Sequence, residues 1–195
     1  IILSTGMATL AQVAMAYDTL IAAGAPSVSL LHCTTNYPCP KNEVNLRAMQ
    51  TMKEAFKCPV GYSDHTMGTE IPIAAVAMGA EIIEKHFTLD RNMEGPDHKA
   101  SLEPHELKYM VDCIRNIEVA LGDGIKRPNL SEVEISKVVL KSIVAKVPIN
   151  KGDTLTANNI TIKRAGRGIP AAHWDMIVGT KALHNFDIDE PIKID

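Results

Sequence analysis

Two histidines stand where a short apolar segment gives way to a loop: His65 closes Val60-Gly61-Tyr62-Ser63-Asp64-His65, and His86 closes Glu81-Ile82-Ile83-Glu84-Lys85-His86 after one helix-like stretch. Neutral imidazole is a good ligand for manganese, iron or zinc, and two such ligands leave coordination positions open for substrate and water. In α/β sheets and barrels chemistry gathers at the carboxyl ends of parallel strands, so adjacent strand ends can aim both rings at one cation. HxxH and HExxH spacings are absent, and each ring taken singly is more often a hydrogen-bonded structural histidine; it is the two together at strand ends that raise the ligand reading.

Further polar residues fall at comparable places. Ser4-Thr5-Gly6-Met7 leads from an apolar run into a helix pattern, where free N–H groups and the helix dipole favour a phosphate or carboxylate; Ser63 holds the equivalent place on a later strand. Short polar residues before a helix are also ordinary N-caps. Thr35, Asn36 and Tyr37 can hydrogen-bond a polyhydroxylated substrate, or simply shape a loop with Pro38. Asp97, in the turn Gly95-Pro96-Asp97, is placed to hold a sugar hydroxyl or act as a base, with a surface-turn aspartate as the competing reading. Arg164 and Arg167 lie in the glycine-bearing run Lys163 to Pro170, which is either a solvated loop or an arm reaching towards an anionic site.

The elements that must position these groups alternate regularly. Apolar runs at Ile1–Leu3, Val28–Cys33, Cys58–Ser63 and Ala80–His86 are followed by helix patterns at Thr9–Ala23, about Val44–Phe56, Glu70–Met78 and Glu103–Leu121. Such βα repetition predicts parallel strands joined by right-handed crossovers, and four units amount to half of an eight-unit barrel. The first strand would then present a bare edge, which leads us to expect a fragment of a longer protein or a sheet completed by something else. After Gly122 the pattern changes. Residues 123–141 read as a polar linker, and short β-type runs at Ser142–Ala145, Ile160–Lys163 and Pro191–Ile194, broken by frequent turn signals, predict a small β-rich module over 142–195.

Composition bounds the rest. The 195 residues are 46% apolar, ample for a packed core, and 20 basic against 23 acidic residues are spread without a basic block, which argues against a nucleic-acid partner. No apolar run is long enough to span a bilayer and no secretory pattern opens the chain, so a cytoplasmic protein with no membrane partner is expected. The four cysteines, Cys33, Cys39, Cys58 and Cys113, lack CxxC spacing; reduced, mostly buried thiols are expected, although Cys33 and Cys39 flank a loop that can touch substrate.

Five ordered motifs resemble the sialic acid synthase family: Ser4-Thr5-Gly6-Met7, His32-Cys33-Thr34-Thr35-Asn36-Tyr37-Pro38, Tyr62-Ser63-Asp64-His65-Thr66, Glu84-Lys85-His86-Phe87 and Gly95-Pro96-Asp97-His98. The tail from about Ser142 resembles the SAF, or antifreeze-like, domain of those enzymes, with Lys163-Arg164 and Val178-Gly179 as its marks. The resemblance implies the C-terminal half of a (β/α)8 TIM barrel over 1–122 followed by a β-clip SAF domain over 142–195. It implies condensation of phosphoenolpyruvate with an N-acetylated hexose, N-acetylmannosamine or a diacetamido sugar, to a nonulosonic acid and phosphate. His65 and His86 would hold Mn2+ or Mg2+. Ser4, Gly6 and Ser63 would cradle phosphate, and Thr35, Tyr37 and Asp97 would surround the metal and sugar, with Tyr37 and Asp97 in catalytic roles.

Arg164 would reach the N-acetyl group across a domain-swapped homodimer. The family's earlier barrel strands, with a glutamate acid/base and phosphoenolpyruvate-binding lysines, have no counterpart here, so the chain alone is expected to be inactive. Thr35 stands where some members carry asparagine and Ala165 where proline is common, while the Asn36-to-Pro40 loop leans towards a bacterial diamino-sugar route. Alternatives from other classes are a noncatalytic carbohydrate-binding or assembly module and a different metal-dependent lyase.

Overall fold

The computed structural model describes residues 1–194, which divide into two compact units, Ile1–Gly124 and the stretch from Ile125 onward. The first unit runs β1 (Ile2–Ser4), α1 (Leu10–Ala22), β2 (Ser29–Cys33), α2 (Ala48–Phe56), β3 (Val60–Asp64), α3 (Glu70–Ala77), β4 (Ile83–Lys85) and α4 (Pro104–Leu121). All four strands are parallel, in the order β1-β2-β3-β4. The expected α/β architecture with a parallel sheet is therefore present, and α1 and α4 begin where the sequence provides caps. Thr9 and Gln12 close a capping box at the start of α1, and Glu103 and Glu106 close another ahead of Pro104 on α4.

Two elements differ from expectation. The fourth strand is confined to Ile83–Lys85, so His86 lies just beyond it. The second helix begins at Ala48, after a separate 3-10 turn at Lys41–Glu43.

Alternation along the strands sorts the side chains. Leu3, Leu30, Val60, Tyr62 and Ile83 pack with Val13, Met49, Met52 and Ala75 of the helices, and burying each large apolar side chain contributes about 1.5–3 kcal/mol. The intervening residues Ser4, Leu31, Cys33, Gly61, Ser63 and Glu84 belong to the opposite face, because the register pairs Ser4 with Leu31, Leu31 with Gly61, Cys33 with Ser63 and Ser63 with Glu84. Gly61 is demanded by this packing: a Cβ there would lie 2.2 Å from the Ile82 carbonyl oxygen. Every residue of β3 is buried although two of the five are polar.

The second unit carries α5 (Leu130–Val139), β5 (Lys141–Ala145), β6 (Ile160–Arg164) and α6 (Trp174–Ile177). β5 and β6 form an antiparallel ladder from Lys141↔Arg164 to Ala145↔Ile160 over a core of Ile143, Ile149, Leu155, Ile160, Ile177, Phe186 and Ile192. The segment read as a linker thus holds a ten-residue helix, opened by an Asn129–Glu132 capping box. The expected third β run reduces to an isolated Val144↔Pro191 bridge with Ile192 N–H donating to the Ile143 carbonyl at 2.9 Å, because Pro191 has no N–H to continue a ladder. Among the described residues no helix is long and apolar enough to cross a membrane.

Candidate active site

The carboxyl ends of β3 and β4 bring His65 and His86 together, with ring centroids 5.3 Å apart and the planes nearly perpendicular. His65 is buried, and its orientation is fixed from two sides. Its Nδ1 lies 2.8 Å from the Thr34 carbonyl oxygen, an acceptor only, so Nδ1 carries the proton and Nε2 keeps its lone pair. Tyr37 donates its hydroxyl to that Nε2 at 2.9 Å and also packs against His86, with ring centroids 5.1 Å apart. An imidazole held through Nδ1–H by a backbone carbonyl has the orientation common among metal-ligating histidines, and here its Nε2 meets the Tyr37 hydroxyl.

The neighbouring face of the sheet is polar and crowded. Ser63 donates to Glu84 Oε1 at 2.6 Å across the β3–β4 pair, and the Cys33 thiol lies 3.8 Å from His65 Nδ1. Burial pushes the Cys33 thiol above its ordinary range and the Glu84 charge adds to this, while hydrogen bonds from Ser63, the Gly6 backbone and Thr35 work in the other direction. Tyr37 is raised as well, by burial first and then by the charges of Cys33, Asp97 and Glu84, so both groups are protonated at neutral pH. Gly6 adopts φ +45°, and the Thr35 hydroxyl sits so close that a Cβ on Gly6 would meet it at 3.0 Å.

Placed against the sequence expectations, His65, His86 and Tyr37 converge directly, and Ser63, Thr35 and Gly6 reach the same cluster through Cys33. Ser4 shares the sheet face one step back along β1 and is exposed. Asp97 is exposed in its turn, close enough for its charge to act on Tyr37. Arg164 ends β6 in the second unit and is exposed there. All four cysteines are free, and Cys33, Cys39 and Cys58 are buried.

Sequence reasoning gave Cys33 no role at the site beyond a substrate touch and passed over Glu84 altogether. The i, i+2 alternation from Ser63 to His65 and from Glu84 to His86 was the available signal for the latter. It also missed a buried ion pair on the helix-packed side, Lys85 Nζ to Asp64 Oδ2 at 2.6 Å. Near it the Tyr62 hydroxyl is buried without a hydrogen-bond partner; burial, reinforced by the Asp64 charge, drives its pKa far upward.

A second group of potential ligands, Glu103, His105 and Glu106, brings three donor atoms within 4.8 Å of one another at the start of α4. Its carboxylates are already engaged: Glu106 pairs with Arg91 and accepts from the Glu103 N–H, and Glu103 caps the helix. A cavity of about 390 Å3 opens nearer α1 and α2, lined among others by Thr5, Gly6, His32 and Arg47.

Known proteins resemble this chain over both units. Residues 1–126 match the NeuB family and residues 141–195 match the SAF domain. The chain is 54% identical over 195 residues to the N,N'-diacetyllegionaminic acid synthase of Campylobacter jejuni, covering 99% of this chain and 58% of that protein. It is 44% identical over 189 residues to the Legionella pneumophila enzyme of the same name, covering 95% and 53%. Among solved structures it is similar to an N-acetylneuraminic acid synthetase from Leptospira borgpetersenii in complex with citrate, with a TM-score of 0.63, 44% identity and coverage of 69% of this chain and 47% of that one. The chain spans little more than half the length of the curated relatives it matches. It belongs to the NeuB family and carries a SAF domain.

Proposed function

We propose that this chain carries the metal-binding side of a site that condenses phosphoenolpyruvate with an open-chain N-acetylated hexose, giving a nonulosonic acid and phosphate. In this reading the first unit is the C-terminal half of a TIM barrel, with the synthase part over 1–122 and the SAF domain over 142–195. The carrying observation is the convergence of the His65 and His86 rings at adjacent strand ends, with His65 Nδ1 committed to Thr34 and Nε2 bonded only by the Tyr37 hydroxyl, which itself packs on His86.

His65 and His86 would hold Mn2+ or Mg2+, and such an ion polarises the sugar aldehyde as a Lewis acid. Tyr37 now occupies the His65 lone pair, so its hydroxyl has to turn aside for a cation and is then free to donate to a sugar oxygen. Protonated at neutral pH, it serves as a donor rather than a base. Ser63, Ser4 and the Gly6 backbone offer hydroxyl and N–H donors for the phosphate, Thr35 lines the wall beside them, and Asp97 supplies a carboxylate for sugar hydroxyls at the rim.

Carbon 3 of phosphoenolpyruvate bonds to the aldehyde carbon, water adds at carbon 2, and the resulting tetrahedral centre releases phosphate by C–O cleavage. Arg164 would serve the sugar's N-acetyl group from the partner subunit of a homodimer. The names of the two curated relatives described above favour a diacetamido sugar as acceptor.

The test is product formation. The full-length protein is incubated with Mn2+, phosphoenolpyruvate and a panel of N-acetylated hexoses, and products are identified by mass. A nine-carbon acid from a diacetamido hexose, with stoichiometric phosphate, is expected, and His65→Ala and His86→Ala should abolish it. Full turnover in both variants would overturn the assignment.

A further inference from the structure

We propose that the Asp64–Lys85 ion pair is the positioning device that sets His65 and His86 at ion-sharing distance; this rests on the reading of the two histidines as metal ligands. The observation is one of register. Asp64 and Lys85 are cross-strand partners on the last rung of the β3–β4 ladder, and each immediately precedes one of the histidines. Beyond that rung the two strand ends separate: the His65 carbonyl accepts from Cys39 N–H at 2.8 Å and the His86 carbonyl from Leu102 N–H at 2.9 Å. The pair is therefore the last direct tie between the strands before the rings.

Its bonding brackets His65. Lys85 Nζ donates to Asp64 Oδ2 at 2.6 Å and to the Thr66 carbonyl, while Asp64 Oδ1 accepts from Thr66 N–H at 2.9 Å. One ammonium and one carboxylate thus hold both backbone groups of Thr66, the residue after His65, and tie them to the side chains of the residues before His65 and His86. The side chains of Lys85 and Asp64 are only 3% and 0% exposed. At such depth an ion pair adds little stability over an apolar pair of the same volume, and strands buried in parallel sheets are usually aliphatic. What it supplies is direction: a shape-filling apolar pair packs equally well without specifying how far apart the strand ends sit. Partners that hydrogen-bond a metal-binding histidine typically change metal affinity about 10- to 100-fold when removed, and a tie that acts through the neighbouring backbone is expected at the lower end of that range.

The test separates positioning from packing. In the metal-stripped full-length protein, Mn2+ binding is followed by loss of the free-ion EPR signal, and thermal melting is recorded alongside. Wild type is compared with His65→Ala, with Lys85→Arg, and with the double variant D64N/K85M, which keeps the volume and removes the charges. The proposal expects the double variant to melt close to wild type yet bind Mn2+ at least about 10-fold more weakly. Lys85→Arg, which keeps the charge but displaces the donor, should fall between the two and gives the same reading if the double variant does not fold. Mn2+ affinity within twofold of wild type in these variants, while His65→Ala loses binding, would overturn the positioning role and leave the metal reading standing. Binding untouched by His65→Ala would remove the metal reading, and this proposal with it.

Discussion

The two units bury different chemistry. In the first, Ser63, Asp64, His65, Thr66, Thr88 and Ser101 are buried polar residues, and four of them are consecutive at the end of β3. In the second, Ser142 is the one buried polar residue among those described, and its core is otherwise Ile143, Ile149, Leu155, Ile160, Phe186 and Ile192 with their neighbours. Burying a polar group is costly unless it is hydrogen-bonded, so four in a row at one strand end mark a place where geometry has been retained at the expense of stability. The second unit is built the opposite way: an aliphatic interior holds the fold, and its candidate functional group, Arg164, stands exposed at a strand end.

This contrast is open to direct attack. The largest effect is expected in the first unit, where Lys85→Met leaves Asp64 buried and unpaired and should cost about 3–5 kcal/mol in chemical denaturation, because the lone carboxylate loses its compensating charge. If the loss is under about 1 kcal/mol, the buried polar run is not the strained region described here. Close in size is Leu155→Ala in the second unit, a cavity in an aliphatic core expected to cost about 2–5 kcal/mol while leaving Mn2+ affinity unchanged. A loss of metal binding there would blur the division of labour.

Smallest is a pH effect on α4. The Arg91 guanidinium, through its hydrogen bond and charge, holds the Glu106 carboxyl below its ordinary value of 4.5. A carboxyl depressed in the folded state contributes stability above its unfolded value and loses it as pH falls through the folded one. Wild type should therefore lose its advantage over Glu106→Gln only as pH drops below about 4.5, and a stability gap that stays constant through that range would contradict the assignment.

What the sequence made legible follows the same division. The βα alternation was readable because apolar runs and helix patterns follow one another four times, with α1 and α4 long and opened by capping boxes, and the histidine pair was readable because both fall where strand turns to loop. The shortness of β4 was not: Ala80 to His86 is apolar enough for a longer strand, and only the pairing with β3 confines it to Ile83–Lys85. Cys33 was underestimated because a lone cysteine on a strand reads as filler until the fold sets its thiol beside His65. Asp64 and Lys85 were invisible as partners, since 21 residues separate them and register alone joins them. In the second unit α5 escaped notice because its apolar residues, Leu130 and Val138 among them, form no buried stripe. Its Asn-x-x-Glu start was the signal available.

The central claim is that one divalent ion is held between His65 and His86. Crystals of the full-length protein grown with Mn2+ and measured at the manganese absorption edge test it most directly. The account predicts a single strong anomalous peak within bonding distance of His65 Nε2 and the His86 ring, with the Tyr37 hydroxyl swung away from His65. A peak at Glu103, His105 and Glu106 instead, or no peak with Tyr37 still bonded to His65, would contradict it.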